Sequence, residues 1–328
     1  MKAFRYDRAT TVEGAVKALA DGTAILKANG IDVLDRLKER VAEPARVVTL
    51  VDVPGLDRIV LDGPVLRVGA MATLAALAAS ADVVRASPAL AEAAGGAASP
   101  ALRNRATLGG NLGQHTRCGY YRLKSFPCFK RGDSICPVRI EGGVQENAGV
   151  FDNAPCACAH PSSVAPVLGA AGAIVRVRGK GGERAVPFAS IYGPVKQGQV
   201  TDLALAPDDV IVGVDVPALR PGVDREGTYE VRHKAAFDWA LVTCSVRCAV
   251  EGGVVRSASV WMGSVAPSPW RNEAAEKALV GQPATAATAA AAAEAAVTGA
   301  SPLPGTAYKL DLVRASVRRA LAAAWERK

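Results

Sequence analysis

The sequence predicts an α+β protein of two domains. Three observations carry that prediction. Short strands and helices alternate over the first fifty residues. Strand patterns then recur as far as a break near 217–227. Beyond it three strand-like runs come first and three helices follow, the order expected of an α+β unit. A chain of 328 residues, half of them hydrophobic, is long enough for two substantial cores. Aromatics are only 5% of the residues, so those cores are built from small aliphatic side chains.

Taken in order, residues 10–20 (TTVEGAVKALA) read as an amphipathic helix that Thr11 can cap. Residues 24–27 (AILK) read as a strand ending in a turn at Asn29-Gly30. A helix follows from Asp32 to about Arg40, and a strand near 47–51. Such a β–turn–α unit offers backbone N–H groups at a helix start, where a pyrophosphate group would sit. A strand over 66–71 and helices over 73–79 and 87–97 lead to a glycine-rich turn, TLGGN at 107–111. Its plain reading is a tight connection. Its functional reading is close backbone approach to a phosphate or flavin, with Thr107 and Asn111 donating hydrogen bonds. No GxGxxG or GK[ST] pattern is present, so Rossmann and P-loop readings find no support.

Residues 118–158 have little apolar periodicity and read as a loop, unusually long for a compact domain. Helix resumes over 163–171, then a strand over 173–178 with a hairpin turn at Gly181-Gly182, and a strand over 209–217. Residues 217–227 read as a linker. Strands follow over 228–232, 240–251 and 254–263, and helices begin near Glu273, Ala284 and Leu312.

The long loop carries the densest chemistry. Cys118, Cys128, Cys136 and Cys156 lie within it, with Cys158 two residues further on. Four thiolates are one per iron for a [4Fe–4S] cluster, and soft thiolates suit iron. The spacings match neither the compact runs of ferredoxins nor the paired CxxC of zinc ribbons. A zinc site and plain buried thiols therefore stay open, as does Cys158 replacing Cys156. Arg117, Lys124, Lys130 and Arg131 place positive charge beside the cysteines, and a bound cluster would explain how the loop stays ordered. Cys244 and Cys248 lie four apart in a strand-like run and read as buried small hydrophobes.

Seven cysteines, an odd number, exclude a complete disulfide framework. The net charge of +8 is scattered among acidic residues and favours no nucleic-acid partner. No segment has the length of a membrane span or of a signal peptide core, so a cytoplasmic location is expected, or a periplasmic one only if the chain is exported with a partner.

Several runs together resemble a known family: ASPALRNRATLGGNL (98–112), TRCGYYR (116–122), PCFKR (127–131), Cys136 and CACAHPSSVAPVL (156–168). The chain is similar to the FAD-binding medium subunits of the xanthine dehydrogenase family of molybdenum hydroxylases. More narrowly, it resembles the branch whose flavin subunit carries an extra [4Fe–4S] loop, which includes 4-hydroxybenzoyl-CoA reductase and the periplasmic aldehyde oxidoreductase. The segments FDWALV (237–242), GSVAPSPWR (263–271) and KLDLVRASVRRAL (309–321) fit that family's last domain. The resemblance implies a PCMH-type FAD-binding domain of two α/β subdomains over 1–222, with an inserted iron–sulfur loop at 115–160. A C-terminal α+β domain over 228–328, of the CO dehydrogenase flavoprotein type, would hold a three-stranded antiparallel sheet and helices. It implies an electron-transfer oxidoreductase subunit with FAD and a [4Fe–4S] cluster. The partners would be a molybdopterin-binding large subunit, where substrate is oxidised, and a [2Fe–2S] small subunit.

By the same resemblance, FAD would be bound by Lys27, Ala28, Asn29, Gly30, Ile31, Asp32, Val33 and Leu34 in a first loop. A second loop would supply Thr107, Gly109, Gly110 and Asn111. The cluster would be bound by Cys118, Cys128, Cys136 and Cys156, with Cys156 placed five residues before Pro161. Departures from the family pattern fall on the flavin side. Asn29 and Ile31 stand where the first loop usually reads AGGT, Ser163 replaces an Asp, and Glu230 stands near a common Lys. They motivate an alternative, a cluster-bearing scaffold or relay that has lost FAD. A self-contained FAD oxidase of the vanillyl-alcohol type is a further one, without a visible acid–base set.

Overall fold

The computed structural model describes residues 1–234 and 237–326. Arg327 and Lys328, the last two of the expected C-terminal domain, lie outside the described residues. The fold is α+β, as expected, but it contains three sheets. The first is small and parallel: β1 (Arg5–Arg8), β2 (Ala24–Lys27) and β3 (Arg46–Thr49) run in the order β1-β3-β2. Helices α1 (Val12–Leu19) and α2 (Ile31–Lys38) connect them. Thr11 caps α1 as its sequence predicts, accepting the Gly14 N–H at 3.0 Å.

The second sheet is antiparallel throughout. It contains β4 (Ile59–Asp62), β5 (Val65–Gly69), β6 (Ile174–Gly179), β7 (Gly182–Pro187) and β8 (Val210–Pro217), in the order β4-β5-β8-β6-β7. Between β5 and β6 the chain forms α3 (Leu74–Ala79), α4 (Ala81–Ala86), α5 (Pro88–Gly96), α6 (Pro100–Arg103), α7 (Leu108–Leu112), α8 (Gly119–Arg122) and α9 (Ala165–Ala170). Leu66, Leu74, Leu77, Leu90 and Leu168 fill the space between this sheet and its helices. The expected turn at 107–111 is one turn of helix, α7, and Thr107 is its cap.

The C-terminal sheet has four strands rather than three. Strands β9 (Asp224–Val231), β10 (Val242–Glu251) and β11 (Val254–Gly263) pair antiparallel, and the two-residue β12 (Trp270–Arg271) adds to the edge of β11. Helices α10 (Glu273–Leu279), α11 (Ala286–Ala295) and α12 (Lys309–Glu326) follow. Because β9 begins at Asp224, the expected linker is shorter than 217–227. Among the described residues no helix is long and apolar enough to cross a membrane.

Trp261 of β11 is buried in the core of the second sheet, edge-on to Phe188 with ring centres 5.6 Å apart. The cysteine loop is threaded between the two halves. Val150 and Phe151 donate to the Val265 carbonyl at 2.7 and 2.9 Å, and Phe151 stacks on Trp270 at 5.2 Å. The loop therefore has protein ties as well as its cysteines, which the sequence reading did not foresee.

Candidate functional site

Two loops separated by eighty residues close on one cavity of about 460 Å³. Ala28, Asn29, Gly30, Ile31, Asp32 and Val33 line one side. Thr107, Gly109, Gly110 and Asn111 line the other. Lys27 and Leu34 are not part of the lining. The Lys27 ammonium instead sits 5.6 Å from the centre of the Tyr6 ring.

The first loop turns through Gly30, whose φ of +90° suits only a residue without a Cβ. Asn29 does not take the left-handed conformation. The turn therefore survives the departure from AGGT because the next residue is glycine. Gly30 begins α2 without any side-chain cap, so the first N–H groups of an eight-residue helix stand at the edge of the cavity.

The second loop is pressed against the end of β5. Leu108 and Gly109 donate to the carbonyls of Ala72 and Ala70 at 2.9 and 2.8 Å. A Cβ at Gly109 would meet Ala70 at 2.9 Å, and one at Gly110 would lie 2.9 Å from the Thr107 hydroxyl and 3.8 Å from Ala28. The glycine pair thus brings the two loops together. The Thr107 Oγ1 accepts the Gly110 N–H at 3.2 Å and serves the helix. Asn111 Oδ1 accepts from the Ser162 hydroxyl, so the HPSS stretch braces the second loop.

The cavity is basic on one flank. Arg36, Arg105 and Arg117 line it; the sequence suggests Arg117 only as charge beside the cysteines and gives no signal for Arg36 or Arg105. The buried Asp32 is the hub. Its carboxylate meets Arg36 Nε at 2.9 Å, Arg122 Nη2 at 2.7 Å and Arg117 Nη2 at 3.3 Å. Burial alone would raise its pKa. The guanidiniums of Arg36, Arg117 and Arg122 more than reverse this and hold it below the ordinary carboxylate value. Arg117 Nε is buried with no hydrogen-bond partner, and the guanidinium lies 4.6 Å from the Trp239 ring centre. An orphaned donor, an uncapped helix start and a glycine cradle fit a bound phosphate group. Val200, Leu203 and Leu205 add apolar side chains to the lining.

The predicted cysteines lie in one region beside this cavity. Cys136, Cys156 and Cys158 interact thiol to thiol, and Cys118 interacts with Cys128 and Cys158. The Cys136 and Cys156 thiols share one hydrogen bond, which pulls Cys136 down and, with Cys158, pushes Cys156 up. Burial pushes Cys118 up to about 11. Among the described residues no three His, Cys, Asp or Glu side chains are gathered as a cage for a single metal ion. A mononuclear zinc site draws four donors to about 2.3 Å from one ion, whereas a cubane spreads one thiolate to each iron.

Lys130 is buried and paired with the buried Asp202. Arg131 donates to the carbonyls of Tyr121, Leu123 and Phe126, and Lys124 pairs with Glu43 at the surface. His115 Nδ1 lies 2.6 Å from the Tyr121 hydroxyl. Burial, with Lys130 nearby, pushes His160 down to about 3, and its Nδ1 accepts the Ser162 N–H. Glu230 pairs with Arg232 at 2.5 Å. Cys244 and Cys248 are buried in the C-terminal core, as expected.

Residues 2–219 match the family described as the FAD binding domain in molybdopterin dehydrogenase, and residues 227–324 match the CO dehydrogenase flavoprotein C-terminal domain. The chain is 35% identical over 283 residues to the aldehyde oxidoreductase FAD-binding subunit PaoB of Escherichia coli (strain K12), covering 85% of this chain and 86% of that one. It is 29% identical to the carbon monoxide dehydrogenase medium chain of Hydrogenophaga pseudoflava, over 99% and 98% of the two chains. A solved structure of carbon monoxide dehydrogenase from that organism superposes with a TM-score of 0.77 at 28% identity, covering 98% of this chain and 97% of that one. The cavity between the two glycine loops thus lies inside the matched flavin domain, and the chain belongs to the molybdenum hydroxylase family as one of its FAD-binding oxidoreductase subunits.

Proposed function

We propose that this chain is the electron-transfer subunit of a heterotrimeric molybdenum hydroxylase. In this reading FAD occupies the cavity between the two glycine loops, and Cys118, Cys128, Cys136 and Cys156 hold a [4Fe–4S] cluster. A molybdopterin-binding large subunit and a [2Fe–2S] small subunit are the partners. One observation carries the flavin assignment: both glycine loops and an uncapped helix start meet at one basic cavity.

The N–H groups at the start of α2, with Arg36 and Arg117, would hold the pyrophosphate. Asp32 keeps those arginines aimed without cancelling their charge. The apolar side chains of Val200, Leu203 and Leu205 would keep water from the ring. When bound, FAD supplies a carrier that takes electrons singly from iron–sulfur partners and releases them in pairs. A cluster at the cysteines would supply a one-electron carrier. The nearness of the cysteine thiols to one another, together with the charge of Arg117 and Lys130 beside them, is what supports a cluster there. The Gly30 turn supports retained FAD over a scaffold that has lost it.

The test is anaerobic purification followed by an absorption spectrum, flavin extraction and iron analysis. The expected result is one FAD and about four irons per chain. Flavin without iron would remove the cluster alone, and iron without flavin would restore the scaffold reading. A colourless, iron-free protein would remove both. Cys156→Ser is expected to lose iron, whereas Cys158→Ser keeps it.

A further inference from the structure

The cysteine loop is tied to both walls of the flavin cavity by buried charge. On one wall, Arg122, four residues after Cys118, donates to Asp32 at 2.7 Å and also binds the Thr116 and His115 carbonyls at 2.9 and 3.2 Å. Asp32 itself lines the cavity. On the other wall, Lys130, two residues after Cys128, pairs with Asp202. Thr201 and Leu203, on either side of Asp202, line the cavity. Backbone contacts reinforce that second tie. Gly198 donates to the Phe129 carbonyl at 3.1 Å, and Gln197 donates to those of Gly132 and Asp133.

All four charged partners are at most 9% exposed. Breaking the Lys130–Asp202 pair from one side leaves an uncompensated buried charge, and losing Arg122 takes one of three guanidiniums from Asp32, so neither tie is easily lost alone. The loop has only short helical turns of its own, at Gly119–Arg122, Phe129–Arg131 and Pro137–Arg139. Its order therefore depends on what it is fastened to. An ordered or disordered loop is a two-state element that both sites can bias.

We propose that Arg122 and Lys130 are positioning residues for the flavin, and that the cysteine loop and the flavin cavity order each other through Asp32 and Asp202. This rests on the FAD part of the function proposed above and not on the cluster. Linkage makes the coupling reciprocal: if loop order strengthens FAD binding, FAD must order the loop by the same factor.

The test uses the full chain freed of iron by chelation. In the unmutated protein, saturating FAD is expected to slow iodoacetamide labelling of Cys118 and Cys136 at least about fivefold. Arg122→Met and Lys130→Met are each expected to weaken FAD binding about tenfold or more by fluorescence titration, although neither residue lines the cavity. Labelling that is indifferent to FAD overturns the proposal, whatever the variants do. FAD affinity within twofold of the unmutated chain, in variants that keep its far-UV circular dichroism, also overturns it. An unmutated chain that binds no FAD overturns the flavin assignment instead and takes the coupling with it.

Discussion

Asp32 carries more of the site than any other side chain. It sits in the first turn of the uncapped helix, lines the cavity and meets three guanidiniums. Its folded pKa is depressed, so its stabilising effect is present above the unfolded value and is lost as pH falls through the folded one. Stability is therefore expected to fall as pH drops below about 4. Asp32→Asn removes the shared counter-charge of Arg36, Arg117 and Arg122, leaving Arg117 only Asp35 and Arg122 only Glu39, each at 3.8 Å, at a cost of about 3 kcal/mol at neutral pH. Thermal melts of both proteins from pH 3 to 7 check this, and the variant should lie lower and give a flatter curve in the acid window. The residue was legible in the sequence as part of a flavin loop. Its role as a hub was not, because Arg122 lies ninety positions away. Lys130 was legible as positive charge near cysteines, but its partner Asp202 is 72 residues distant and sits in a segment with no motif. In the core, burial pushes Cys248 up to about 12 and Cys244 higher still, so these thiols stay protonated and inert.

Among the elements, legibility followed apolar pattern. The run from Val210 to Val216 announces β8, and Thr11, Thr73 and Asn272 mark the starts of α1, α3 and α10. Strands β4 and β7 escaped because half or more of each is exposed or polar, leaving little alternation to read. Strand β9 begins four residues early because Asp224, Arg225 and Glu226 do not look like a strand. The one-turn helix α7 was read as a turn because two of its five residues are glycine. A further glycine, Gly169 in α9, was unremarkable in sequence yet fixes a packing contact. A Cβ there would come within 2.4 Å of the Trp261 indole. Gly169→Ala is expected to destabilise the protein by about 1–3 kcal/mol through overpacking, despite alanine's better helix propensity. Urea midpoints of the two proteins test it, and a stabilised variant would show that Trp261 yields easily.

At the scale of the molecule, the two-part organisation was legible because strands precede helices after residue 228. How the parts are joined was not. The Glu226 carboxylate, at the start of β9, accepts from the Ser87 hydroxyl at 2.9 Å and from the Ala89 N–H at 2.8 Å, and so caps α5 of the other half. Glu226→Ala is expected to lower the melting temperature and to split one calorimetric transition into two, and a single unshifted transition would count against the clasp. Saturating FAD is expected to raise the melting temperature, by about 2.7 kcal/mol of added stability at a hundredfold excess over Kd. Clasped at Glu226 and pinned again at Trp261, the C-terminal half has little freedom to swing. Under the function proposed above, the carriers held by such a subunit would keep a constant spacing, so electrons could tunnel through it without waiting for a hinge.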